Sequence, residues 1–359
     1  VVSRRSGNLL VCCLLLLPCP VLGGSGEYRW NLPRGFPVPH VPSDNPMSDA
    51  KVALGRKLFF EPRLSVTGRH SCASCHAPER AFADSRPLSI GATGDTTRTN
   101  AMSLTNVAYN VSFGWDRAEV RSLEEQMLEP MLSEYPVELG LKGREAAVVA
   151  SLSTDESYRK AFADAFPRDD GSITFERVVQ SIAAYERTLI SGRSPFDLYV
   201  FEGQHGALTP DARNGMALFF SERLGCASCH SGFNFSGAWR DAQGATGEPT
   251  FANNGIGSRP MRVPTLRNVS LTAPYMHDGR LSTLEAVVDH YERTRSPALR
   301  AFTLTPVERR ELIAFLHSLT DPTFTAESHV ERPHSACSGS RETGSRDRGT
   351  SVRDGWAKE

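Results

Sequence analysis

Apolar positions along this chain fall into three regimes. Residues 1–26 carry one short continuous apolar run, Leu9 to Leu17. It follows Arg4 and Arg5 and precedes the small residues Gly23, Gly24 and Ser25. That order predicts a secretory signal rather than a fold element, and the run is too short to span a bilayer. Over residues 27–322 apolar residues are spread evenly, in short helical stretches separated by long loops rich in Gly, Asn and Pro. Residues 323–359 are rich in Ser, Arg, Gly and Glu with almost no periodic apolar residue, which predicts a disordered tail. No segment between the two ends has the length and apolarity of a membrane span, so none is expected in the mature chain.

Composition narrows the class. The chain has 359 residues, 40% hydrophobic and 23% charged, as in an ordinary globular protein. Its length suggests about two domains. A net charge of −1 excludes a general nucleic-acid binder, which needs a basic surface to neutralise phosphates.

Cysteine spacing supplies the chemistry. Of eight cysteines, Cys12, Cys13 and Cys19 lie in the signal and Cys337 in the tail. The other four form Cys72-Ala73-Ser74-Cys75-His76 and Cys226-Ala227-Ser228-Cys229-His230. This is the attachment pattern of haem c. The two thiols bond the porphyrin vinyl groups and the imidazole binds iron from the proximal side. A zinc site or a disulfide would leave the repetition of the histidine unexplained. Two covalent haems are therefore expected, and their attachment outside the cytoplasm agrees with a signal and a periplasmic location.

The flanks of the two motifs resemble each other. Leu54-Gly55-Arg56-Lys57-Leu58-Phe59-Phe60 precedes the first, and Asn214-Gly215-Met216-Ala217-Leu218-Phe219-Phe220 precedes the second. Downstream, Ser103-Leu104-Thr105-Asn106-Val107 parallels Thr265-Leu266-Arg267-Asn268-Val269. Ser122-Leu123-Glu124-Glu125 then parallels Thr283-Leu284-Glu285. The predicted fold is mainly α: two cytochrome c-like haem domains related by internal duplication, over 27–200 and 201–322, with long loops.

With Leu123 set against Leu284, two helical turns further on lie Pro130 in the first unit and Tyr291 in the second. If this helix passes over the distal haem face, the second unit offers a ligand and the first a proline, which has none. No histidine occurs from residue 77 to 204, although Met102, Met127 and Met131 remain possible ligands. The asymmetry predicts an open iron at the first haem, able to bind peroxide, and a closed iron at the second, able to store or relay electrons. Met261, Met276, His277 and His290 compete with Tyr291. Adjacent helix residues point about 100° apart, so His290 and Tyr291 cannot both face iron.

Over roughly residues 45–320 the chain resembles the diheme cytochrome c peroxidase and MauG superfamily. The resemblance rests on the paired haem motifs, Trp115-Asp116, Pro136-Val137-Glu138-Leu139-Gly140 and Leu271-Thr272-Ala273-Pro274-Tyr275-Met276-His277-Asp278-Gly279. Tyr291, fourteen residues after His277, stands where the peroxidase branch has a methionine ligand and matches the MauG branch. Tyr28-Arg29-Trp30-Asn31-Leu32-Pro33 and Asp44-Asn45-Pro46-Met47-Ser48 look most like the methanobactin-associated, MbnH-like members.

The resemblance implies roles residue by residue. His76 would be the proximal ligand of a peroxide-reactive haem. Glu138 would be the distal carboxylate, Gln126 a distal polar residue, and Pro130 the residue filling the space above iron. Trp115 would relay electrons between the haems. Asn100, Thr272 and Pro274 would bind calcium through oxygen atoms, which suit a hard cation. His230 and Tyr291 would hold the second haem. In MauG the position two residues before the second haem motif is a surface tryptophan that oxidises the protein substrate; here it is Leu224, so that docking surface does not carry over. The expected activity is a periplasmic oxidoreductase that uses hydrogen peroxide to oxidise a protein partner. Its alternatives are a cytochrome c peroxidase fed by a small electron-transfer protein and a non-catalytic electron carrier.

Overall fold

A computed structural model describes residues 28–168, 170–253, 259–294 and 301–325. The expected signal lies outside these residues, as does the tail from 326 onward. In chain order the helices are α1 (Asp49–Phe59), α2 (Leu123–Leu132), α3 (Glu145–Ser153), α4 (Glu156–Ala165), α5 (Phe175–Glu186), α6 (Pro195–Val200), α7 (Pro210–Phe219), α8 (Leu284–Arg293) and α9 (Pro306–His317). Polar caps start them. Ser48, Ser122, Thr174, Thr209, Thr283 and Thr305 each accept the main-chain N–H three residues on, satisfying an amide the helix cannot. Two short antiparallel hairpins complete the structure: β1 (Arg240–Asp241) with β2 (Gly244–Ala245), and β3 (Phe251–Ala252) with β4 (Met261–Arg262).

The buried apolar residues form two cores. The first gathers Leu54, Leu58, Phe59, Met127, Phe162, Ile182 and Tyr185 from α1, α2, α4 and α5. The second gathers Phe196, Phe219, Val288, Phe315 and Leu316 from α6 to α9. In each, a glycine lets two helices touch through their backbones. A Cβ on Gly55 would lie 1.8 Å from the Ser181 carbonyl oxygen on α5, and one on Gly215 would lie 1.8 Å from the Glu311 carbonyl oxygen on α9. Neither position admits a side chain without separating the helix pair, since the obstructing atom is main chain.

The same series of elements therefore occurs twice: a glycine-bearing helix, a haem-motif turn, an asparagine-led turn and a ten-residue helix. Asn106 (φ 58°) and Asn268 (φ 59°) occupy the left-handed region that asparagine tolerates. The Asn106 main-chain N–H donates to the Leu189 carbonyl at 2.8 Å, and that of Asn268 to the Leu319 carbonyl at 3.0 Å. The Asn268 side chain also donates to Ser191 Oγ at 2.9 Å, while Asp321 accepts from the main-chain N–H groups of Gly192 and Arg193. This buried polar spine joins the halves.

Two expected boundaries shift. Phe196, on the first side of the division at 200, belongs to the second core. Phe324, assigned to the tail, is buried in the first core against Phe82, with ring centroids 5.7 Å apart. The aromatic ring at 324 outweighs its polar neighbours in sequence because it is buried against the apolar side chains of the first core. No helix among the described residues is long and apolar enough to cross a membrane.

Candidate functional site

Each haem-motif turn carries its histidine to the edge of a cavity. The His76 main-chain N–H donates to the Cys72 carbonyl and that of His230 to the Cys226 carbonyl, both at 3.0 Å, which folds the intervening residues into one tight turn. Nδ1 of His76 lies 2.9 Å from the Phe82 carbonyl oxygen, and Nδ1 of His230 lies 3.0 Å from that of Phe235. Phe82 (φ 60°) and Phe235 (φ 52°) both adopt left-handed backbone, unusual for a bulky residue, to present those carbonyls. With Nδ1–H committed, Nε2 remains a neutral donor for a metal. Burial lowers both imidazole pKa values, which keeps them uncharged.

The cavities are about 390 Å³ beside His76 and about 410 Å³ beside His230, within the size range of cofactor sites. Cys72 and Cys75 line the first, Cys226 and Cys229 the second, and none of the four forms a disulfide. Burial raises the thiol pKa of Cys72 and Cys75 and pushes Cys226 up to about 11. Gln126 Oε1 and His70 Nδ1, whose residues line the first cavity, are buried without a hydrogen-bond partner. Paired thiols and an oriented imidazole at an apolar-walled cavity fit haem c in both places, and the first adds orphaned polar atoms.

The first cavity brings together Glu138, Gln126, Pro130 and Trp115. Glu138 sits on a loop that turns back onto α2 and is fixed by its main chain. Val137 N–H donates to Asp95 at 2.9 Å, Leu139 N–H to the Pro130 carbonyl at 2.9 Å, and Val66 N–H to the Leu139 carbonyl at 2.8 Å. Burial, with a smaller contribution from the nearby Glu129 carboxylate, raises the Glu138 pKa above the ordinary glutamate value. Met102, Met127 and Met131 line the cavity too, but Met102 Sδ takes a hydrogen bond from Arg262 and the other two are built into the first core.

The second cavity holds Tyr291 at the α8 position that corresponds to Pro130 of α2. Burial, reinforced by the facing Cys229 and Cys226, pushes its phenol up to about 12. Met261 and Met276 share the cavity, whereas His277 and His290 do not line it. His290 Nε2 lies 3.2 Å from Thr294 Oγ1, turned to another face of the helix as the 100° rule requires. Tyr275, which sequence reasoning did not consider, also lines the cavity, but its hydroxyl donates to the Val269 carbonyl at 3.0 Å. Leu224 is buried in the second core.

Between the cavities stand Asn100, Trp115 and Arg262, which line both. Trp115 Nε1–H donates to the Asn100 carbonyl at 2.8 Å, and the Asn100 amide NH₂ donates to the carbonyls of Arg86 and Pro87, leaving its Oδ1 as an acceptor. Thr272 and Pro274 border the second cavity. Sequence reasoning missed Arg262 and Glu186. Glu186 is buried at the end of α5, lines the first cavity, and is pushed up to about 8 by burial. The signal for both is a charge embedded in an apolar stretch, Ala183-Ala184-Tyr185-Glu186 and Met261-Arg262-Val263-Pro264.

The family described as di-haem cytochrome c peroxidase matches residues 49–205. The methylamine utilization protein MauG of Methylorubrum extorquens is 36% identical over 79% of this chain and 81% of its own length. The cytochrome c peroxidase Ccp of Escherichia coli is 33% identical over 80% of this chain and 61% of its own. Among solved structures, a MauG-like protein associated with microbial copper homeostasis superposes with a TM-score of 0.79 at 34% identity, covering 85% of this chain and 99% of that one.

Proposed function

The chain belongs to the di-haem cytochrome c peroxidase family that includes MauG, a family of peroxidases carrying two haem c groups, and on that premise we propose that it is a periplasmic oxidase that spends hydrogen peroxide to oxidise a protein partner. The observation that carries this reading is the pair of unlike residues at one helix position, Pro130 over the first cavity and Tyr291 over the second. When bound, the haems supply iron that reduces peroxide and conducts electrons. Glu138 accepts the first peroxide proton at its carboxylate and returns it to the departing oxygen. Gln126 Oε1 would accept a hydrogen bond from peroxide, and Pro130, whose side chain has no donor atom, would leave the first site open to it. Trp115 bridges the cavities as the aromatic contact between them. Tyr291 would help hold the second haem, and its phenolate would supply a hard, anionic oxygen that favours ferric iron.

The overall balance takes two electrons and two protons with one hydrogen peroxide to give two waters, the electrons coming from the partner protein. Asn100 Oδ1 with the main-chain oxygens of Thr272 and Pro274 would hold calcium, an assignment supported by the free amide oxygen. Metal analysis is expected to find one calcium per chain, lost in Asn100→Ala.

The function is tested by adding peroxide to the ferric dihaem protein in the presence and absence of reduced small cytochrome c. A spectral change that persists without the cytochrome and is quenched by an oxidisable tryptophan- or tyrosine-bearing protein supports the proposal. Rapid sustained turnover that strictly requires the cytochrome would instead establish the peroxidase reading, which Met261 and Met276 in the second cavity favour.

A further inference from the structure

Among the described residues three arginines are almost wholly buried: Arg187, Arg262 and Arg267. Two have carboxylates. Arg187 donates to Glu124 at 2.7 Å, and Arg267 makes a two-pronged contact with Asp197 at 2.8 and 2.9 Å. Arg262, 8% exposed, has no carboxylate within ion-pair distance among the described residues. Burial alone lowers its pKa to about 10, still high enough to keep the guanidinium charged. A buried cation without a counter-ion costs several kcal/mol, so a fold that retains one has an anion to pair with it.

The geometry shows where that anion comes from. Arg262 lines both cavities. Of its five side-chain N–H groups, Nε–H donates to the Gly114 carbonyl at 3.0 Å and one on Nη2 to Met102 Sδ at 3.1 Å. The rest have no acceptor among the described residues. Its own main-chain N–H donates to the Trp115 carbonyl at 2.6 Å. One residue thus holds both the Gly114 and the Trp115 carbonyls and keeps unused donors on the wall common to both cavities.

We propose that Arg262 is a positioning residue shared by the two haem sites, pairing with a propionate carboxylate of each haem while it clamps Trp115 between them. This rests on the dihaem reading. The guanidinium fork suits two acceptors in different directions, which a lysine ammonium meets only as a point charge. A cation shared by both propionate sets raises both reduction potentials, because it opposes the positive charge of ferric iron.

The test is spectroelectrochemical titration of the purified dihaem protein and its Arg262→Gln and Arg262→Lys variants, with haem content measured on each. Expected are two haems per chain, a fall in both potentials in Arg262→Gln, and recovery of most of that fall in Arg262→Lys. Resonance Raman bands of the propionates shift at both haems in either variant. Two haems with both potentials unchanged, or a fall confined to one haem, overturns the proposal. Should the glutamine variant not mature, unshifted propionate bands in the lysine variant overturn it equally. A wild-type protein without two haems would refute the dihaem reading instead.

Discussion

Glu138→Gln is expected to lower kcat with hydrogen peroxide by about 10²–10⁴-fold, the usual contribution of a positioned acid–base group, while leaving haem content and both resting spectra intact. The amide keeps the volume and one acceptor oxygen but cannot take a proton and return it. The loop is held through main-chain bonds of Val137 and Leu139, so the substitution leaves its path unchanged. Stopped-flow mixing with peroxide measures the loss, and a variant within a few-fold of wild type would remove Glu138 from the chemistry. The pH profile adds an independent check. Because burial and then Glu129 raise the Glu138 pKa, the carboxylate protonates at a higher pH than an ordinary glutamate. Base function is present above that pKa and is lost as pH falls through it, so the acid limb of kcat/KM lies above the ordinary glutamate range. Glu129→Gln removes the like charge and moves the limb to lower pH.

Tyr291→Phe is expected to abolish phenolate-to-iron charge-transfer absorption and to raise the potential of the second haem. Among the α8 residues lining that cavity, Leu284, Val287, Val288 and Tyr291, only the tyrosine carries a donor atom. Its phenol, at about 12 in the bare pocket, must lose its proton to the metal, and a bound cation supplies the energy for that. Resonance Raman of the ferric protein reads the phenolate modes directly. An unchanged spectrum would transfer the ligand role to Met261 or Met276, which line the same cavity, and with it favour a peroxidase fed by a small cytochrome.

Much of the site was legible one segment at a time. The haem attachments follow from covalent spacing, and the contrast of Pro130 with Tyr291 follows from helical period, since seven residues bring the chain back to one face. The competitor His290 fell to the same geometry. The rest depends on segments far apart in sequence. Glu138 reaches its cavity because a loop folds back onto Pro130 and is sewn to Val66 and Ala92. The apolar run before Glu186 signals its burial but not its place at the first cavity, and the place of Phe324 in the first core cannot be read from its neighbours in the chain, because flanking residues do not show which distant apolar surface is within reach.

By itself the sequence determined what is bound and where along the chain: two Cys-x-x-Cys-His turns, repeated flanks around them, and a helix with a proline in one half and a tyrosine in the other. Those are short-range properties, set by bond lengths, helical repeat and side-chain chemistry. Only the tertiary structure decided that Asn100, Trp115 and Arg262 form a wall common to both cavities, and that the buried Arg262 has no carboxylate beside it among the described residues. The physical reason is that a charge's partners are chosen by the whole fold: the cost of burying Arg262 is paid by whatever the long-range contacts bring beside it, and no local pattern encodes that neighbour.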